Sequence, residues 1–203
     1  MLYGFVKLVM KAFLRAFHGF RATGQENVPM DGALIVVANH ASMLDAPALG
    51  CAFPRQILFM AKAELFRNPF SRALLMAVHA FPVKRGQVDR EAYRRSMEIL
   101  KEGKVLGIFP EGTRSKTGDM QQAHPGAARF ALQTGTPVVP AAIVGAHKGH
   151  KRLYGKAGRF GVRVAIGKPM WPVRSEDGRV TREEIDDFAQ RIMEQIQRLM
   201  SVA

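Results

Sequence analysis

Apolar residues recur along this chain in two rhythms. A short unbroken apolar run rich in β-branched residues occupies 33–38, and further short, mainly apolar runs occur at 56–61, 105–109, 138–144 and 162–166. Runs of that length suit strands buried on both faces. A shorter piece at 80–84 reads the same way. Between them lie segments of helical pattern at 46–53, 69–78, 89–101 and 126–134. Asp89 is positioned as the N-cap of the third, which presents Tyr93, Met97 and Leu100 on one face, with Gly103 just past its end. Gly135 ends the fourth. A last helix follows Thr181 and Glu184, spaced as a capping box, and repeats Ile185, Phe188, Ile192, Ile196 and Leu199 at steps of three and four. Strands alternating with helices predict a single α/β domain with a mainly parallel or mixed β-sheet flanked by helices.

The first twenty or so residues have their own pattern. Lys7, Lys11, Arg15 and His18 follow at steps of four, four and three and share one helical face. Leu2, Phe5, Val6, Val9, Phe13, Phe17 and Phe20 fill the broad remainder. A wide apolar face opposite a basic stripe is the pattern of a helix lying in a membrane interface. The alternative is a helix packed on the domain with its basic edge in water. The cations interrupt any spanning segment, and no cleavable signal is expected. Residues 1–22 are therefore read as an amphipathic interfacial helix and residues 23–203 as the main domain, with 24–32 a connector.

Charge narrows the partners. The 203 residues carry a net charge of +13, which predicts attraction to an anionic surface or ligand. The single cysteine, Cys51, excludes a disulfide framework and a cysteine-rich zinc site, and its apolar neighbours predict a small buried residue. The histidines are scattered and support no metal site.

In open α/β sheets, functional residues gather in loops beyond the carboxyl ends of strands. Two polar segments sit there. In the first, Asn39 to Asp45, His40 can exchange a proton near neutrality, and Asp45 can fix its tautomer if the chain bends from strand to helix. The alternative is a histidine that merely caps a helix. Ser42 either orients His40 or caps the helix, and capping is expected. In the second, Phe109 to Ser115, Gly112 lets a ligand approach, Thr113 and Ser115 add hydroxyls, and Arg114 offers a fork matched to phosphate. Glu111 is placed to hold the loop or Arg114. The alternative is a solvated turn. Lys84 and Arg85 put two cations after the 80–84 piece, and Pro140 interrupts a strand, as expected at an edge or near a site.

In this order and spacing the four segments resemble the four motifs of the glycerolipid acyltransferases, the 1-acylglycerol-3-phosphate acyltransferases and their relatives. His40 to Asp45 matches the His-four-residues-Asp motif. Phe109-Pro110-Glu111-Gly112-Thr113-Arg114-Ser115 matches the third motif without substitution. The segments 81–85 and 139–143 resemble the second and fourth. Pro82 and Lys84 depart from the usual second motif, and His124-Pro125 stands where a lysine is common. The resemblance spans roughly residues 20–170 and implies the following. His40 is a general base oriented by Asp45. Arg85 and Arg114 bind the acceptor phosphate, Glu111, Gly112 and Thr113 shape that site, and Lys62, in a Lys-x-Glu-Leu segment, approaches it. The implied reaction moves a fatty acyl group from acyl-CoA or acyl-carrier protein to lysophosphatidate, forming phosphatidic acid. It requires no cofactor and takes place at an anionic membrane surface, on the cytoplasmic face, with the enzyme peripheral or monotopic.

Three competing readings remain. The same chemistry can serve another lysolipid or glycerol 3-phosphate. A basic nucleic-acid-binding protein would explain the charge, but no zinc-finger, RNA-recognition or basic-zipper signature is present, and no nucleic-acid partner is expected. A non-catalytic scaffold descended from such enzymes would be expected to have lost His40, Asp45, Glu111 or Arg114. A basic run from Lys148 through Arg163 is available to a donor or a membrane.

Overall fold

The computed structural model describes residues 2–84, 89–115, 117, 119–146, 161–173 and 179–203. Along them run α1 (Leu2–His18), β1 (Arg21–Thr23), β2 (Leu34–Ala38), α2 (Asp45–Ala52), β3 (Ile57–Lys62), α3 (Pro69–Ala77), β4 (Phe81–Val83), α4 (Arg90–Lys101), β5 (Val105–Ile108), α5 (Gly126–Thr134), β6 (Val138–Val144), β7 (Arg163–Ile166) and α6 (Arg182–Val202). Short 3-10 turns occupy Gln25–Asn27 and Ala63–Phe66.

The strands form one seven-stranded sheet in the order β1-β7-β6-β2-β5-β3-β4. Every pairing is parallel except β6 with β7. β2 lies at the centre, and all five of its residues are buried. Its neighbours fix the register at Leu34 opposite Val105 and Ile35 opposite Val138. Alternate β2 side chains feed two cores, as strand geometry requires. Leu34, Val36 and Ala38 join Leu14 of α1 and Ala48, Leu49 and Ala52 of α2. Ile35 and Val37 join the apolar faces of α4, α5 and α6.

Most expected elements appear within a residue or two of their sequence limits. Asp89 accepts from the backbone N–H groups of Glu91 and Ala92, and the Thr181–Glu184 capping box is formed. β1 had no signal, because Arg-Ala-Thr has no apolar run and gains its place only by pairing with β7. On α4 the buried side is Ala92, Ser96, Ile99 and Leu100. Tyr93 stays 41% exposed and stacks on Phe130. Pro140 lies within β6 opposite Val37 and not at the sheet edge.

α1 is turned differently from the expected arrangement. Lys7 and Lys11 lie half-buried on the side toward the domain, around the buried Leu14. The Lys7 ammonium donates to the Phe53 carbonyl at the end of α2, and burial pulls its pKa below the usual lysine range. Cys51 is buried, as expected, with Sγ 3.7 Å from the Lys7 carbonyl oxygen. Leu2, Phe5, Leu8, Val9, Phe13 and Phe17 therefore face outward, from 41% to 71% exposed. Among the described residues, no helix is long and apolar enough to cross a membrane.

Candidate active site

β2, β3 and β5 run parallel, so their carboxyl ends open on one edge of the sheet. The chain leaves β2 through Asn39, which is 3% exposed. Its side-chain amide donates to the Ile143 carbonyl at 2.9 Å and accepts from the Ile143 N–H at 2.8 Å. This reciprocal pair pins the end of β2 to β6.

His40 follows. Its backbone N–H donates to Glu111 Oε1 at 2.8 Å, and its carbonyl accepts from the Ser115 N–H at 2.8 Å. The peptide is thus held from both sides by the loop that leaves β5. The imidazole Nδ1 lies 2.9 Å from Asp45 Oδ2. That same oxygen accepts from the N–H groups of Ala41 at 2.7 Å and Ser42 at 2.6 Å. Asp45 is the first residue of α2, where the helix dipole favours a carboxylate. Its side chain is 1% exposed and that of His40 is 13% exposed. The strand-to-helix bend thus brings together two residues that a continuous helix would not align. With Nδ1 committed to Asp45, Nε2 is the ring nitrogen left for a reacting group.

Ser42 does not cap α2. Leu44 stands at the N-cap without a side-chain bond, and the Ser42 hydroxyl accepts from the Leu44 N–H at 3.3 Å. Asp45, reaching back, takes the N–H groups of Ala41 and Ser42.

The second loop is built around Glu111, which is 4% exposed. Besides the His40 N–H it accepts the Gln121 N–H at 3.1 Å on its other oxygen. Burial pushes its carboxyl above the usual glutamate range, against the pull of these two donors. Glu111 is therefore the clamp between the two loops, with both oxygens engaged by backbone. Gly112 has φ +66, and a Cβ there would come within 3.1 Å of the His124 ring. His124 itself donates its N–H to the Pro110 carbonyl at 2.8 Å.

Thr113 and Arg114 are exposed beyond this clamp, and Arg114 has no hydrogen bond or ion pair among the described residues. Lys62, the last residue of β3, is exposed at the same sheet edge and 3.4 Å from Glu64. Arg85 lies outside the described residues, as does most of the basic run after Lys148.

Phe109 had been read only as part of a motif. Its ring stacks on His40 at 4.2 Å and 19°, and Phe59 stacks on Phe109 at 5.7 Å and 8°. No sequence signal marked Phe59, since apolar residues in a strand do not announce which neighbour they will meet. Asn39 and Ser115 were missed as supports for the same reason, since their bonds to Ile143 and His40 are long-range, and Gln121 because it meets Glu111 only through the shape of the loop between them. Two hollows, of about 570 and 630 Å³, lie elsewhere, between α5 and α6 and at the amino ends of β3 and β5.

The Acyltransferase family profile matches residues 19–144, most of the chain and both loops of the site. The chain belongs to this acyltransferase family. Among relatives of this acyltransferase is the 1-acyl-sn-glycerol-3-phosphate acyltransferase of Bacillus subtilis, 35% identical over 83% of this chain and 82% of that one. A chloroplast 1-acyl-sn-glycerol-3-phosphate acyltransferase of Arabidopsis thaliana is 34% identical over 81% of this chain and 47% of its own length. The solved structure of the 1-acyl-sn-glycerophosphate acyltransferase PlsC from Thermotoga maritima superimposes with a TM-score of 0.72 at 28% identity, over 98% of this acyltransferase and 80% of that chain.

Proposed function

We propose that this acyltransferase moves a fatty acyl group from an acyl-CoA or acyl-carrier protein thioester to the free hydroxyl of 1-acyl-sn-glycerol 3-phosphate, giving phosphatidic acid. The observation that carries the reading is the His40–Asp45 pair, clamped at the carboxyl edge of the sheet beside the exposed Arg114. Relatives that bear the name of this reaction support the choice of acceptor.

His40 Nε2 takes the proton of the acceptor hydroxyl as its oxygen attacks the thioester carbonyl. Asp45 stabilises the imidazolium that results. Collapse of the tetrahedral intermediate forms the ester and breaks the carbon–sulfur bond, and the proton passes from His40 to the leaving thiolate. The acceptor supplies the nucleophile, so no enzyme nucleophile is needed. Cys51 is unsuited to that role, because burial pushes its thiol up. Arg114, Arg85 and Lys62 supply cations for the acceptor phosphate, with Thr113 adding a hydroxyl and Gly112 leaving room for approach. α1 lies in the interface of the cytoplasmic face, apolar side down, as a peripheral or monotopic attachment.

The test is an acyl-transfer assay on vesicles or detergent micelles, with acyl-CoA and acyl-carrier protein donors and a panel of lysolipid and glycerol 3-phosphate acceptors. Phosphatidic acid is the expected product, and His40→Ala is expected to lose at least ~100-fold in kcat. Near-normal turnover in that variant would remove His40 as the base. Preference for another acceptor would move the function to that lipid.

A further inference from the structure

α3 runs Pro69–Ala77 and buries none of its residues. Phe70 is 83% exposed, Met76 58% and Leu74 47%, and Leu65 on the preceding turn is 44% exposed. No α3 side chain joins either hydrophobic core. The helix is instead shaped locally. Asn68 caps it by accepting the N–H groups of Phe70 and Ser71, Pro69 opens the first turn, and the Ser71 hydroxyl donates back to the Leu65 carbonyl. Contiguous apolar surface left outside the core marks an interaction site.

Its surroundings say what it meets. α3 contacts α1, whose outer face is also apolar. No Asp or Glu occurs in residues 2–18 or 65–84, whereas Arg15, Arg67 and Arg72 are exposed. The nearest carboxylate in sequence, Glu64, lies 3.4 Å from the Lys62 ammonium, so the rim of this apolar surface is net cationic and complements an anionic lipid surface. A second copy of this chain would set cation against cation.

We propose that α3, with Leu65, is a second membrane-inserting element, and that its partner is a bilayer surface containing anionic phospholipid. The inference rests on the reading of α1 as an interfacial helix and extends it to a segment some fifty residues away in sequence. α3 follows the turn after Lys62, at the carboxyl end of β3, on the sheet edge that carries His40. Two helices on one bilayer fix the tilt and rotation of the domain, where α1 alone would leave it free to swing. The sheet edge with His40 then meets the surface in which a lysolipid lies.

The experiment uses the full chain with Trp171→Phe, carrying either Phe70→Trp or Phe5→Trp, and phosphatidylcholine/phosphatidylglycerol vesicles with brominated acyl chains. Both introduced indoles are expected to shift to shorter emission wavelength and to be quenched by bromine. Quenching from Phe5→Trp without quenching from Phe70→Trp overturns the role of α3 and leaves that of α1. Quenching from neither overturns both. In parallel, a Phe70→Ser/Leu74→Ser variant should partition to these vesicles at least about tenfold more weakly, with circular dichroism and turnover on a short-chain soluble acceptor unchanged. Unchanged partitioning overturns the proposal. So does a wild type that is dimeric by analytical ultracentrifugation and a double variant that is monomeric, since the face would then be covered by a second copy.

Discussion

Glu111 shows how a single buried carboxylate can hold two segments of a site together. Its two oxygens tie the His40 and Gln121 backbones into one unit. Burial raises its pKa in the folded state, so the native protein binds that proton more readily than the unfolded chain. By linkage, the contribution of Glu111 to stability is then greatest at low pH and falls as pH rises through its folded pKa. Glu111→Gln removes the titration. The stability of the wild type minus that of the variant, from urea denaturation, is expected to shrink with rising pH across the weakly acidic range. A difference that is flat or grows with pH contradicts this account. At this scale the sequence was informative about reacting groups and silent about their supports. His40 and Asp45 are five positions apart, and a bend suffices to join them. Asn39 finds its partner Ile143 across more than a hundred residues, and no local pattern encodes that pairing.

Among the elements, β5 has the tightest internal constraint near the site. A Cβ on Gly107 would lie 2.5 Å from the Phe59 ring and 2.6 Å from Ile57. The missing side chain is what lets Phe59 lie flat behind Phe109, and Phe109 behind His40. Gly107→Ala is expected to cost about 1–3 kcal/mol in urea denaturation, the usual range for an overpacked core, and to lower kcat by displacing the ring behind His40. Adding Phe59→Leu should recover part of both losses. A Gly107→Ala protein with unchanged stability and turnover would show that the ring stack yields freely. Helix and strand positions were legible because hydrophobic period and caps are local, as with Asp89 and Thr181. β1 was not, because a three-residue polar strand exists only through its partner β7.

For the molecule as a whole, the net charge of +13 and the outward apolar faces of α1 and α3 act together. Attraction of exposed cations to anionic lipid is screened by salt, whereas apolar insertion is much less so. Affinity for phosphatidylglycerol-containing vesicles, measured by sedimentation, is expected to fall as ionic strength rises. Weaker binding to neutral phosphatidylcholine should persist nearly unchanged. Salt-independent affinity for the anionic vesicles would mean that the charge serves something other than the membrane.

The sequence by itself determined the α/β architecture, the two loops after buried strands, the His40–Asp45 pair and the Glu111-to-Arg114 motif. Those depend on residue type, short spacing and hydrophobic period, which are local properties. It also carried the amphipathic character of α1, but not its orientation. The tertiary structure turned Lys7 inward to the Phe53 carbonyl at the end of α2 and the apolar face outward, as α1 packed on α2. It also left α3 outside both cores and made Glu111 the clamp on His40. Each of these depends on which distant surfaces meet when the sheet closes, and side-chain pattern along one segment does not specify its neighbour.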